Sequence, residues 1–557
     1  MTEPTDTSDE AVALHRKRLF SGICLALIPT GASFALIANV MTQLKTEFLL
    51  TNAQVGTIAG AAIWGMAISL LVLGPLLESF GMKRATWAAF LGHIVGLTLM
   101  ISAAAFTGSP DTAFWLLMAG AVCLAGGNGM IEVSGNPLTA ALYPKGKTHK
   151  LNIFHAFFPL GILVAGVVGW GLGKTEGIAG GFFYHWTFQL ALIYIPIIIY
   201  GILVLPQKFP KTENAEAGLP VKEMFRFTFT TPLMYAFLLV MAIAIGLELG
   251  VTRWIAPIFG SIELPGALMM SWIALVMMVL RFFSGKIVGR ISPPGLLAIC
   301  SLFMAVGLLL FAAASGSALG FLAATFFGIG VAFNFPTIVG LVSERMPKSG
   351  SLGIVLTAGI GLLAAGAVGT PGIGVIADNE LGGYLDDTRN EATLAVLEAV
   401  EASYPEQIEQ AKASDDPIEE YGFVATDLEM ALASTEEALS AYRENGNLAG
   451  RETPLALRAI GGSALRTPEE AEEKAGELLE AEETDAAAIR ELAVSGAGAS
   501  AKLAGGILGP AEGFAGQRSL GLLSWVPLIL TAFFGWIYLG DRRRGGYQAK
   551  ELEVGGH

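Results

Sequence analysis

The sequence predicts an all-α membrane protein of twelve transmembrane helices in two six-helix pseudo-repeat halves, with an acidic helical insertion between the last two. Three observations carry this. The mean hydropathy of the 557-residue chain is +0.59. Only 15% of its residues are charged, against about a quarter in a soluble chain. Apolar runs of about twenty residues, the length that crosses a bilayer, recur along the sequence.

The runs fall at residues 19–41, 53–78, 85–107, 113–143, 151–173 and 184–206, then 232–258, 266–290, 293–316, 318–344, 352–376 and 519–540. The fourth and tenth are long enough to tilt or to overrun the bilayer. This divides the chain into an N-terminal tail (1–18), a first half (19–206), a linker (207–231), five spans of a second half (232–376), an insertion (377–518), the twelfth span (519–540) and a C-terminal tail (541–557). Polar residues and His15-Arg16-Lys17-Arg18 precede the first run, and no small-residue cleavage site follows it. It therefore reads as a membrane helix and not a cleaved signal peptide.

Lys and Arg set the orientation. One side carries Arg16-Lys17-Arg18, Lys83-Arg84, Lys145, Lys147 and Lys150, Lys208, Lys211 and Lys222, Lys286 and Arg290, Arg345 and Lys348, and Arg542-Arg543-Arg544. The short loops of the other side carry little beyond Lys45 and Lys174. The bias alternates through every loop and predicts a plasma (inner) membrane protein with both termini cytoplasmic. The net charge of −14 hides this asymmetry. Thirty acidic and ten basic residues lie between Ala377 and Arg518, about −20, so the remainder is about +6. The three cysteines sit in apolar runs and imply no disulfide framework.

The halves read as repeats. Gly161, Gly166 and Gly169 of the fifth span recur as Gly361, Gly366 and Gly369 of the eleventh, and Asn136-Pro137 has a counterpart in Asn334-Phe335-Pro336. Duplicated halves place a site near the midplane between them.

Asn128, Glu132 and Asn136 are spaced four apart along one helical stripe of the fourth span. A carboxylate inside a membrane faces the bundle interior, where Glu132 can take a proton from one side and release it on the other. The flanking amides can donate to and accept from hydroxyls. The plain alternative is a structural pair of Glu132 with a base such as Arg281. Glu248 is a second intramembrane acid, or a solvated one near a helix end. His155 offers an imidazole that titrates near neutral pH, or a neutral ring satisfying a carbonyl. His93 reads as a packed or capping histidine. Trp254 offers a ring face to a sugar's C–H surface, or belongs to an interfacial belt. No P-loop, Gly-x-Ser-x-Gly, His-Glu-x-x-His or cysteine cluster is present, so the chain reads as neither an enzyme nor an ATP-driven pump. No cofactor or metal is expected.

Gly74-Pro75-Leu76-Leu77-Glu78-Ser79-Phe80-Gly81-Met82-Lys83-Arg84 resembles the loop signature of the major facilitator superfamily, with a weaker echo in Gly285-Lys286-Ile287-Val288-Gly289-Arg290. An acid at one helix end beside bases at the next forms a charge latch that biases two packings of a bundle. Glu78, Lys83, Arg84 and, in the second half, Arg281 are the latch candidates. A narrower resemblance rests on Gly126 to Pro137, on Asn152-Ile153-Phe154-His155, and on Gly246-Leu247-Glu248 with Trp254. Arg281-Phe282-Phe283 and Asn334-Phe335-Pro336-Thr337 add to it. These are similar to the fucose-permease branch of sugar–proton symporters. The resemblance implies alternating access, a sugar and protons as partners, and proton coupling at Glu132, Glu248 or His155. It implies solute contacts at Asn39, Asn128, Asn136, Asn152, Trp254 and Asn334. That branch often has a first-span acid, whereas this sequence reads Ala38-Asn39-Val40. An exporter of drugs or metabolites, an uncoupled facilitator and a membrane nutrient sensor are the rival functions.

The insertion matches nothing in that branch. Thr467-Pro468-Glu469-Glu470 suits a helix start, and Leu428, Leu432 and Leu439 form an amphipathic stripe. Several short helices are expected there, then a flexible Gly/Ala stretch from Ser495 to Gly516, all on the outer side. The acidity reads as a solvated face, with a cap over the vestibule or a partner surface as the sharper options.

Overall fold

Inside a bilayer every backbone N–H and C=O must find its partner within the chain, which a helix achieves locally. In the computed structural model every regular element is a helix among the described residues, which are 7–48, 52–107, 109–173, 175, 178, 181–212, 215, 220–260, 262, 264–288, 290–414, 417–464, 467–481 and 483–550. Lys174, Gly289 and the extreme termini lie outside them. Eleven helices among the described residues are long and apolar enough to cross a membrane, and Leu268–Phe282 is a shorter apolar helix at the place of the eighth span.

Several helices depart from the predicted runs, the first and tenth at prolines. The first run is two helices, Thr7–Leu25 and Leu27–Glu47, because Pro29 cannot donate to the carbonyl of Leu25. The tenth is Ser317–Val331 followed by Asn334–Arg345, where Pro336 likewise frees the carbonyl of Ala332. The fourth span is one helix of 33 residues, Pro110–Leu142. The eighth ends at Phe282, short of the expected residue 290, and a brief helix Ser284–Val288 follows.

The repeated glycines occupy equivalent places. A Cβ on Gly161 would lie 2.5 Å from the Ile28 carbonyl, and one on Gly361 would lie 3.0 Å from Met241 Cγ. Thus the fifth span packs on the first and the eleventh on the seventh. The middle glycines face the opposite half: a Cβ on Gly166 would be 3.7 Å from Ser271, and one on Gly366 would be 3.1 Å from Ile63.

At the end carrying the paired bases the halves are joined. Glu344 accepts from the Thr148 amide at 3.0 Å and its hydroxyl at 2.8 Å, where the fifth span begins. His149 Nδ1 lies 2.9 Å from Ser284 Oγ. The C-terminal tail returns to the same place, with the Tyr547 hydroxyl donating to Glu344 and the Lys550 amide donating to the Glu344 carbonyl at 2.8 Å.

The insertion has its own core. Leu381, Leu385, Val400, Tyr404, Leu428 and Leu439 are buried with Leu457, Ile489, Leu503 and Ile507. Two long helices attach it to the bundle: Thr370–Ala413, bent at Arg389, and Ala497–Leu523. The second corrects the expectation of a flexible stretch from Ser495 to Gly516. Alanine is the strongest helix former, and the small side chains of Ala497, Ala501 and Ala504 bury against the neighbouring helix. The twelfth span follows as Val526–Arg543, after a break ahead of Pro527. Exposed ion pairs such as Lys412–Glu429, 2.8 Å, dress the surface of the insertion and add little stability. Its one fully buried phenol, Tyr404, is 2.9 Å from Ser463 Oγ and is pushed by burial up to about 12.

Candidate functional site

The fourth-span stripe is buried: Asn128, Glu132 and Asn136 are each at most 3% exposed. It opens on a cavity between the halves. Asn128 and Glu132 meet His155 of the fifth span (Lys147–Gly173), Glu248 of the seventh (Pro232–Gly260) and Arg281 of the eighth there, with Phe34, Phe158 and Phe335 as apolar walls.

Hydrogen bonding fixes the acid–imidazole group. Asn136 Nδ2 donates to Glu132 Oε2 at 2.6 Å and to the Glu132 carbonyl at 3.0 Å. A carbonyl only accepts, so the other end of the amide, Oδ1, faces His155 Nε2 at 2.8 Å and must receive its proton. Asn136 therefore bridges two titratable groups that are themselves 3.7 Å apart.

Arg281 is held by two carbonyls that prolines leave free. Pro159 has no N–H for the carbonyl of His155, and Pro336 has none for that of Ala332. Arg281 Nη1 donates to the His155 carbonyl at 2.9 Å, and its Nε donates to the Ala332 carbonyl. One guanidinium thus satisfies a freed carbonyl in each half, and its Nη2 lies 3.6 Å from Glu248 Oε1. The cavity then holds two carboxylates, one fixed cation and one imidazole. A single proton balances that set, and an uncompensated buried charge is costly.

The structure brings the candidates Glu132, Glu248, His155, Asn128 and Arg281 to one cavity. Asn136 stands behind it. Asn334 is buried beside Glu248. Asn152 lies nearer the basic end, donating to the Thr148 carbonyl at 2.8 Å and to Thr337 Oγ1 at 3.1 Å. Two candidates are elsewhere. Asn39 donates to Gln189 Oε1 at 2.9 Å. Trp254 donates to the Thr370 carbonyl at 3.0 Å and faces Arg458 and Glu512 of the insertion. Arg281, a latch candidate by its place in the sequence, lies in the cavity, where the carbonyls of His155 and Ala332 take its N–H groups. Missed altogether was Arg253, whose guanidinium sits 4.3 Å over the Phe34 ring across the halves. A lone arginine between Val251 and Trp254 was the signal.

At the basic end Glu78 accepts from Thr212 Oγ1 at 2.6 Å and from Ser351 Oγ at 2.7 Å, so the acid ties the first half to the linker and to the eleventh span. Lys83 is half-buried and Arg84 exposed. Glu78→Ala is expected to slow turnover roughly fivefold, the loss of about one net hydrogen bond, with solute binding unchanged. Initial rates set beside equilibrium binding check this, and equal rates would leave Glu78 as an anchor only.

The sequence profile of the Major Facilitator Superfamily matches residues 23–376, ending just before the insertion. The L-fucose-proton symporter of Escherichia coli (strain K12) is 23% identical over 375 residues, covering 61% of this chain and 82% of that protein. The gentisate transporter of Corynebacterium glutamicum is 25% identical over 195 residues, 35% of this chain and 40% of that one. Among solved structures, the transporter FucP in its outward conformation superposes with a TM-score of 0.52 at 20% identity, covering 64% of this chain and 92% of its own. The proton:xylose symporter XylE, bound to 6-bromo-6-deoxy-D-glucose, superposes with a TM-score of 0.52 at 13% identity, covering 65% and 89%. At these identities the superpositions speak for the fold.

Proposed function

This chain belongs to the Major Facilitator Superfamily and is a multi-pass membrane transporter, not an enzyme, and on that premise we propose that it takes up a small polar solute, a sugar, together with a proton. The observation that supports this reading is the charge count of the cavity: Glu132, Glu248, Arg281 and His155 line one space and need one proton for neutrality. Glu132 carries that proton, in contact with His155 through Asn136. Asn128 contacts the solute, the three phenylalanine rings pack its C–H faces, and Glu248 with Arg281 and Asn334 holds the second half in register. The two joined halves open alternately, and the structure stands closed at the basic end. The name of the L-fucose-proton symporter agrees with this reading.

A second reading, an aromatic acid as solute, draws on the guanidinium in the cavity and on the gentisate transporter. Three donor groups of Arg281 already face His155, Ala332 and Glu248, which favours the sugar. The deciding experiment uses proteoliposomes with an imposed proton gradient and labelled L-fucose, D-xylose and gentisate. Accumulation of a sugar above its equilibrium level is expected. Equilibration alone would mean a facilitator, gradient-driven extrusion an exporter, and binding without movement a sensor.

The orientation is part of the same proposal. Reporter fusions at Lys211 and Lys550 are expected to read cytoplasmic, and one near Glu437 external. An internal Glu437 would overturn the orientation and put the insertion on the cytoplasmic side.

A further inference from the structure

From the cavity wall, which includes Thr30, Ser33 and Asn128, a line of hydrogen bonds runs through three more spans. Tyr200 OH of the sixth span is 3.0 Å from His93 Nδ1 of the third, and His93 Nε2 is 3.0 Å from Asn128 Oδ1. Asn128 Nδ2 reaches Ser33 Oγ at 3.4 Å, and Ser33 Oγ reaches the Thr30 carbonyl at 2.9 Å. His93, Tyr200 and Ser33 are all at most 1% exposed. The proton order follows from the last member. The Thr30 carbonyl only accepts, so the Ser33 hydroxyl gives its one proton there and must accept from Asn128. The N–H₂ end of the Asn128 amide therefore faces Ser33, and its oxygen faces His93. An oxygen of that kind only accepts, so His93 carries its proton on Nε2. Its bare Nδ1 then accepts from Tyr200. Every bond points the same way, from the sixth span to the first. Room for the ring comes from Gly127, where a Cβ would stand 2.5 Å from His93 Cδ2.

We propose that His93 is a positioning residue for solute selection: it fixes the Asn128 amide so that the cavity meets an N–H donor, and so favours solutes that present an oxygen acceptor at that point. This rests on the reading of Asn128 as a solute contact. It assigns His93 a part in recognition although the ring itself touches no solute. Without it the amide is free to turn over, and the donor and acceptor it shows the cavity exchange places.

The test has two arms. In purified, ¹⁵N-histidine-labelled protein without solute, His93 is expected to show the Nε2–H tautomer, and a Nδ1–H ring would overturn the inference whatever the solute proves to be. In proteoliposomes, with labelled L-fucose as probe, His93→Leu and Asn128→Ala are each expected to raise KM about fivefold, the worth of roughly one hydrogen bond, with Vmax little changed. Acting through one amide, the two should not add: the double variant is expected to match Asn128→Ala alone. His93→Gln, which can still donate, should keep KM near the wild-type value. Tyr200→Phe keeps the ring's packing and releases the tautomer, and is expected to raise KM about twofold should His93→Leu not assemble. Additive effects, or a Gln variant as impaired as Leu, would overturn the positioning role. An unchanged KM in Asn128→Ala would instead remove Asn128 from the solute site, and the tautomer would still decide the hydrogen-bond order.

Discussion

Glu132→Gln is expected to keep solute exchange across the membrane and to lose accumulation driven by a pH gradient by more than about tenfold, a coupling of the usual size between two ligands. Asn136 links the acid to the imidazole. Its amide donates to Glu132 Oε2 and accepts from His155, so a glutamine can keep the first bond with its own oxygen. The variant has the shape of the protonated acid and none of its titration. If a proton on Glu132 favours solute, solute favours that proton by the same factor, and a side chain that cannot change charge passes no gradient energy on. Exchange and net uptake, measured in one proteoliposome preparation, separate the two functions. Uptake at the original rate in the variant would move the proton to His155 or Glu248, both of which line the same cavity.

Arg281→Met is expected to lose more. It removes the donor from two carbonyls that prolines have left without backbone partners, and it strands Glu248. Breaking a buried ion pair by deleting one partner costs about 3–5 kcal/mol, and transport should fall to background. Thermal unfolding in detergent would show a lowered midpoint. Arg281→Met with Glu248→Gln should recover part of that stability, because no lone charge remains, and should recover no transport. Arg281→Lys is expected to be intermediate, since one ammonium cannot serve two carbonyls and a carboxylate in the geometry of a planar fork. Wild-type stability in Arg281→Met would refute the account of the two freed carbonyls.

Glu132 with its flanking amides was legible because charge in an apolar run and a spacing of four are both visible in one dimension. The repeated glycines were legible for the same reason, and the structure gives each pair equivalent neighbours. What was hidden depends on where helices stop. The eighth-span helix stops at Phe282, and Arg281 in its last turn reaches the cavity because the His155 and Ala332 carbonyls take its N–H groups. Asn39 and Trp254 carry suitable groups, yet Gln189 and Thr370 take their donors, and no spacing rule could foresee partners so far along the chain. The composition of the Gly/Ala segment after Ser495 suits both a linker and a close helix–helix contact, and only the neighbouring helix decides between them.

The attachment of the insertion has a mechanical consequence. The helix from Thr370 to Ala413 leaves the eleventh span without a loop, and Ala497–Leu523 runs back toward the twelfth, so the insertion is geared to the second half. Beyond its bend at Arg389 the first of these helices extends about 36 Å, at 1.5 Å per residue. A tilt of about 15°, a typical rigid-body rotation, would carry its far tip through roughly 9 Å. The acidic bundle is in that sense an outboard lever: small motions at the midplane are magnified at its end, and any load applied there is felt at the cavity as torque.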